Sequence, residues 1–253
     1  MLRSETPICR IITVNAGIAS NQHSHSFGSV KYFKRRKYVE EEILPSMRTI
    51  MPTILYDAVT PADFIISENS ATCIFENNNF KIGLDWNYNK LVGKYLISLF
   101  LTNYKLWIEC CTLQLPLLIL EDDLCIKSRT LANLSSDFVS FSAPKYNQNP
   151  SVLYLQSNCP WRKGYPAKSY PFSWKNNFLR RRFIKVPPTH RDMSGTVAIL
   201  INPKAAKACI DFTHEIGIHA IDQFYMHCMF KKLIFMYIQS DWENGFGLNL
   251  ELQ

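Results

Sequence analysis

Glu121, Asp122 and Asp123 are three adjacent carboxylates at the end of the aliphatic run Leu115-Pro116-Leu117-Leu118-Ile119-Leu120. A continuous apolar run bounded by polar residues reads as a strand buried on both faces, so the triplet emerges where that strand leaves the sheet. Three carboxylates crowded there call for a cation. Hard oxygen ligands suit Mg2+ or Mn2+, which keep several waters and complete their shell with substrate phosphates. Successive strand residues face opposite ways, so Glu121 and Asp123 share one side and Asp122 the other unless the chain turns at once. The alternative is a solvated acidic turn after a core strand, and spacing alone weighs the two equally.

Other residue types invite chemistry less specifically. Ala16-Gly17, after the apolar Cys9 to Asn15, reads as a turn that lets backbone approach a ligand. His23-Ser24-His25 has metal-pair spacing but no nearby third ligand, and in a Ser/Asn-rich stretch it reads as surface loop. Trp161, Tyr165, Tyr170 and Trp174 could stack on sugar rings or hold a long loop to the domain. Lys31, Arg35 and Arg36 could approach a diphosphate, although a solvated helix face is the safer reading.

These residues need a folded frame, and the composition supplies one. The chain has 253 residues, 47% hydrophobic and 19% charged, which fits one compact domain and argues against disorder. No run of about 18 apolar residues occurs, so no transmembrane segment is expected. The Ile8 to Ile18 stretch is too short and too broken for a signal peptide, which makes a cytoplasmic address the default. Eight cysteines form no C-x-x-C pair and lie mostly in apolar segments, where thiols pack as small hydrophobes. The sequon Asn133-Leu134-Ser135 would matter only in a secreted chain. The net charge of +7 is concentrated in residues 31–37 and 180–182. No helix-turn-helix, zinc-finger or RNA-binding signature accompanies it, so nucleic acid is not expected as a partner.

Strand and helix patterns alternate. Cys9 to Asn15 reads as a strand, Tyr38 to Ile50 as a helix, Thr53 to Ala58 as a strand and Leu91 to Glu109 as a long helix running into the Leu115 to Leu120 strand. Ser151 to Gln156 and Gly195 to Ile201 read as further strands, and Asn158 to Arg182 as a long loop. Asn202 is placed to cap a helix with Pro203 in its first turn, another helix begins near Asp222, and Leu233 to Ile238 is a last strand. The expectation is an α/β fold with a mainly parallel central sheet flanked by helices, binding ligands outside the carboxyl ends of its strands.

Several segments, in order, resemble glycosyltransferase family 25, the lipopolysaccharide- and collagen-type glycosyltransferases. They are the first strand ending near Asn15, the basic helix, the strand end Asp57-Ala58-Val59-Thr60-Pro61, Gly93 and Trp107 on the long helix, and Glu121-Asp122-Asp123. Gly195 to Ala208 and Asp222 follow at matching places, while Ile97-Ser98 stands where the family has a Ser-His pair. The resemblance covers roughly residues 8 to 240.

It implies a GT-A-like single domain over 1–253, with a nucleotide-sugar-binding half at approximately 8–125 and an acceptor-binding half at 126–253. It further implies a metal-dependent inverting transfer of sugar from a nucleotide-diphosphate donor, a UDP-sugar first, to a hydroxyl of a glycan or protein-linked glycan. Asn15, Ala16, Gly17, Ala58, Val59, Glu121 and Asp122 would then line the donor site, and Asp123 with Asp241 would hold Mn2+ or Mg2+. Asp222 would be the base that takes the acceptor proton, with Asp192 and Asp241 as rivals and an ordinary helix N-cap as the plainer role. His219 is a further candidate for the metal shell, against a structural role. Two readings from other classes remain: a basic nucleic-acid-binding or scaffold protein without catalysis, and a metal-dependent phosphoryl-transfer or nuclease enzyme, against which stands the lack of a Walker-type loop.

Overall fold

The computed structural model describes residues 7–14, 29–83, 91–126, 130–155, 183–186, 198–239 and 246–248. Asn15, Ala16, Gly17, His23, His25, Trp161, Tyr165, Tyr170, Trp174, Asp192, Gly195 and Asp241 lie outside the described residues.

The aliphatic runs form the sheet. β1 (Ile8–Thr13), β2 (Thr53–Asp57), β6 (Leu117–Leu120), β8 (Ser151–Tyr154), β9 (Phe183–Lys185), β10 (Ala198–Ile201) and β11 (Phe235–Gln239) make seven strands in the order β2-β1-β6-β10-β8-β11-β9. Successive pairings show that all but β10 and β9 run in one direction, so the sheet is mainly parallel, as expected. Along β6, Leu117 and Ile119 join the core on one face, and Leu118 and Leu120 join the core on the other. That two-sided burial explains why the run is uninterrupted rather than alternating.

Helices cover both faces. On one side lie α3 (Leu91–Leu113), α6 (Pro203–Ile216) and α7 (Ile221–Phe230), whose Ile97, Phe100, Trp107, Cys209, Phe212 and Phe224 fill a single apolar layer. The fully buried Trp107 stacks on Phe224 and donates its indole N–H to the Tyr225 hydroxyl at 2.9 Å. On the other side lie α1 (Ser29–Tyr38), α2 (Leu44–Arg48) and α4 (Thr130–Phe141), followed by the short α5 (Pro144–Asn147). Val39, Ile43, Met47, Leu134 and Phe138 pack there against Ile11, Leu118 and Leu120.

A π-helical stretch, Val39–Ile43, joins α1 to α2, and the Leu44 N–H bonds the Val39 carbonyl. Pro45, in the first turn of α2, has no N–H to donate and crowds the preceding turn, which gives the widening a cause. The helix therefore starts at Ser29, earlier than Tyr38, and takes in the basic run.

Asn202 caps α6 as its sequence position implies. Its Oδ1 accepts from Ala205 N at 2.9 Å and Ser151 N at 3.1 Å, while Nδ2 donates to the carbonyls of Tyr146 and Asn149. One side chain thus ties α6 to the entry of β8.

An antiparallel meander of β3 (Ile65–Ser67), β4 (Thr72–Phe75) and β5 (Asn78–Lys81) has no counterpart in the sequence reading. It docks through Ile218, which donates to Lys81 O, and Gly83, which donates to Ile218 O, both at 2.8 Å. Gly217 has φ +85°, and a Cβ there would lie 2.2 Å from the Lys81 carbonyl oxygen, so the junction demands glycine. Finally, β7 (Leu124–Cys125) pairs with β12 (Gly247–Leu248), and Phe246 N donates to Leu155 O at 2.8 Å. No described helix is long and apolar enough to cross a membrane.

Candidate active site

The strand directions bring the carboxyl ends of β1, β2, β6, β8 and β11 to one edge. Thr13, Asp57, Leu120, Tyr154 and Gln239 end those strands, and Ala198 opposite Leu120 starts the antiparallel β10. Glu121, Asp122 and Asp123 therefore emerge next to the end of β1 and near Ala58 and Val59. Those two residues continue β2: Ala58 N donates to Thr13 O at 3.0 Å, and Val59 N donates to the Thr102 hydroxyl at 2.9 Å.

The chain turns at Asp122-Asp123, so these two neighbours do not diverge as they would along a straight strand. Both face Arg35 of α1. Its Nη1 donates to Asp122 Oδ1 at 3.2 Å, and its Nη2 to Asp123 Oδ2 at 3.3 Å. The three side chains are only 11–15% exposed. Burial pushes the Asp122 carboxyl up from 3.8 to about 6; the Arg35 guanidinium opposes that rise and Asp123 adds to it. The other Asp123 oxygen, Oδ1, is buried and has no hydrogen-bond partner among the described residues.

The solvated-helix-face reading thus fails for Arg35. Arg36 pairs with Glu40 at 2.9 Å and with Asp57 at 3.3 Å, tying α1 to the end of β2, whereas Lys37 pairs with Glu41 at 3.8 Å in an exposed contact. Charge alone made these cations equivalent in sequence. Only the orientation of α1 over the end of β6 separates Arg35 from its neighbours.

Asp222 stands in the first turn of α7, where a carboxylate is favoured by the helix dipole. The N-cap is Ala220, so the N-cap reading of Asp222 does not hold; its Oδ1 accepts the neighbouring Gln223 N–H, at 2.8 Å. Tyr154 links it to the acidic motif. This phenol is 5% exposed, and its hydroxyl has no hydrogen-bond partner among the described residues. Its proton is held well above the usual range by burial, then by the Asp222 carboxylate, with Glu121 also contributing. Glu121 and Asp222, a hundred positions apart in sequence, thus act electrostatically on one buried hydroxyl. Neither Tyr154 nor Arg35 carries a sequence signal beyond its place at a strand end or in a basic run.

His219 follows the end of α6. Its Nε2 lies 3.3 Å from the Ile216 carbonyl oxygen, and its ring lies 5.2 Å from that of His227. Among the described residues, no group of three or more His, Cys, Asp or Glu side chains is placed to hold a metal ion. The fit for a cation rests instead on Asp123: a buried, orphaned carboxylate oxygen beside a second carboxylate is a suitable anchor for an ion that takes its remaining ligands from phosphate and water.

A mainly parallel sheet covered by helices, with acidic groups gathered outside its carboxyl ends, is an α/β architecture of the kind that binds ligands at that edge. The family model for glycosyltransferase family 25 (LPS biosynthesis protein) matches residues 29–225, well over half of the chain, and the chain belongs to that family. It is accordingly a glycosyltransferase. No curated protein matches the chain.

Proposed function

We propose that the chain is a metal-dependent, inverting sugar transferase of GT-A type that moves a sugar from a nucleotide-diphosphate donor, a UDP-sugar first, to a hydroxyl of a glycan or protein-linked glycan. The observation that carries this reading is Asp123 Oδ1, without a hydrogen-bond partner among the described residues and buried beside Asp122 at the carboxyl edge of the sheet. Asp123 would hold Mn2+ or Mg2+ there, with Asp241 as a second ligand. The described neighbours of Asp241 support its part: β11 ends at Gln239 on the same edge, and β12 pairs with the strand that follows Asp123. When bound, the cation stabilises the negative charge that develops on the leaving diphosphate.

The donor would lie in the half formed by residues 8–125, along Asn15, Ala16, Gly17, Ala58 and Val59, with Glu121 or Asp122 on the ribose or a metal-bound water. The half from 126 to 253 would receive the acceptor. Asp222 would accept the proton of the attacking hydroxyl; its side chain is partly exposed and shares the Tyr154 hydroxyl with Glu121 as an electrostatic neighbour. A cytoplasmic address accompanies this reading. Nucleic acid is not a partner in it, because Arg35 faces the acidic pair rather than solvent.

The test is release of nucleoside diphosphate from a panel of nucleotide sugars with Mn2+ and a glycan acceptor mixture. Asp222→Asn should lose about 10²–10⁴-fold in kcat with donor binding unchanged, the usual cost of a missing general base. Full activity in Asp222→Asn would remove Asp222 from the chemistry.

A further inference from the structure

We propose that Arg35 is the resident counter-cation of the Asp122–Asp123 pair and gives way to a divalent cation when the site is loaded. The inference rests on the cation proposed at Asp123.

The guanidinium does not grip one carboxylate with both arms. It is split between two, at 3.2 and 3.3 Å, whereas strong charge-assisted N–H···O contacts run at about 2.7–2.9 Å. All three side chains are largely shielded from water, at 11–15% exposure, so the carboxylate pair would be costly without a cation in place. Arg35 meets that need, and its contacts to the two carboxylates are long and exchangeable.

Asp123 Oδ1 is the uncommitted oxygen of the pair: it is buried and has no hydrogen-bond partner among the described residues. A divalent ion arriving there would share a carboxylate with the guanidinium on Oδ2, and two cations so close in a poorly hydrated site repel strongly. The helix itself need not move, because Arg36 pairs α1 with Asp57 at the end of β2 independently. The exchange is a swing of the Arg35 side chain on its flexible stem.

Exchange makes a prediction opposite to that of a residue that merely orients a metal ligand. Loss of an orienting partner typically weakens metal affinity by about 10–100-fold. Loss of a competing cation strengthens it. Mn2+ binding should be measured by electron paramagnetic resonance of the free ion, with and without UDP, on the wild type, Arg35→Gln and Arg35→Lys, with thermal unfolding alongside.

Arg35→Gln should bind Mn2+ at least about tenfold more tightly, the effect of removing a unit charge at this range, and its lowered melting temperature should recover on adding Mn2+. Arg35→Lys, which keeps the charge but cannot span both carboxylates, should tighten binding by a smaller factor and decides the matter if the glutamine variant does not fold. Equal or weaker Mn2+ affinity in the variants, beside clear binding to the wild type, overturns the exchange and leaves the transferase reading intact. Absence of Mn2+ binding in all three proteins, with and without UDP, overturns both.

Discussion

Asp122→Asn should stabilise the cation-free protein near neutral pH relative to its effect in acid. The Asp122 side chain is 11% exposed, and burial lifts its carboxyl from 3.8 to about 6 despite Arg35. A carboxyl raised in the folded state contributes stability that is present below the unfolded value of 3.8 and lost as pH rises through about 6. The rise of roughly 2 units, at about 1.4 kcal/mol per unit, amounts to about 3 kcal/mol between the two limits, of which about 2 kcal/mol falls between pH 4.5 and 7.5. Asparagine has the same shape and no such ionisation. The stability difference, variant minus wild type, should therefore grow by about 2 kcal/mol across that interval, whatever constant offset comes from the altered contact with Arg35. Urea unfolding of both proteins in chelator-treated buffer at the two pH values measures it. A gap that stays flat or shrinks as pH rises would refute the claim that Asp122 is held charged at a cost, and with it the idea that the motif awaits a cation.

Two further perturbations probe the frame that positions the site. Asn202→Ala removes the cap of α6 and leaves the Tyr146 and Asn149 carbonyls and Ser151 N–H without their partner, so about 3 kcal/mol should be lost in urea unfolding. A loss below about 1 kcal/mol would mean that the junction of α6 with β8 reorganises freely. Trp107→Phe leaves the buried Tyr225 hydroxyl without its donor and opens a void against Phe224, for an expected loss of about 3 kcal/mol. Thermal unfolding unchanged from wild type would show that α3 and α7 do not depend on that contact.

The sheet was legible because its strands carry two-sided apolar runs, Leu117–Leu120 and Ala198–Ile201 above all, and the Asn202-Pro203 cap was legible from capping chemistry. The meander at 65–81 was not, since Ile65 and Ile74 face solvent and its short strands alternate too briefly to stand out. Phe183–Lys185 was hidden for a related reason: three residues added at the sheet edge leave no periodicity to read. The start of the α1 helix at Ser29 escaped notice because its basic run carries no apolar stripe, while its orientation, which sends Arg35 inward, is a tertiary property. The acidic motif was visible as a motif, but its turn, which lets Asp122 and Asp123 share one guanidinium, was left open by strand geometry. Tyr154 could be located at a strand end, yet nothing in sequence tells that its hydroxyl lies under the influence of both Glu121 and Asp222.

The central claim is a donor site built on Asp123, and calorimetric titration of nucleoside diphosphates and their sugars, with and without Mn2+, tests it on the wild type and Asp123→Ala. Binding of one nucleotide that requires Mn2+ and disappears in the variant is the predicted result. Mn2+-dependent nucleotide binding that survives intact in Asp123→Ala would contradict the account.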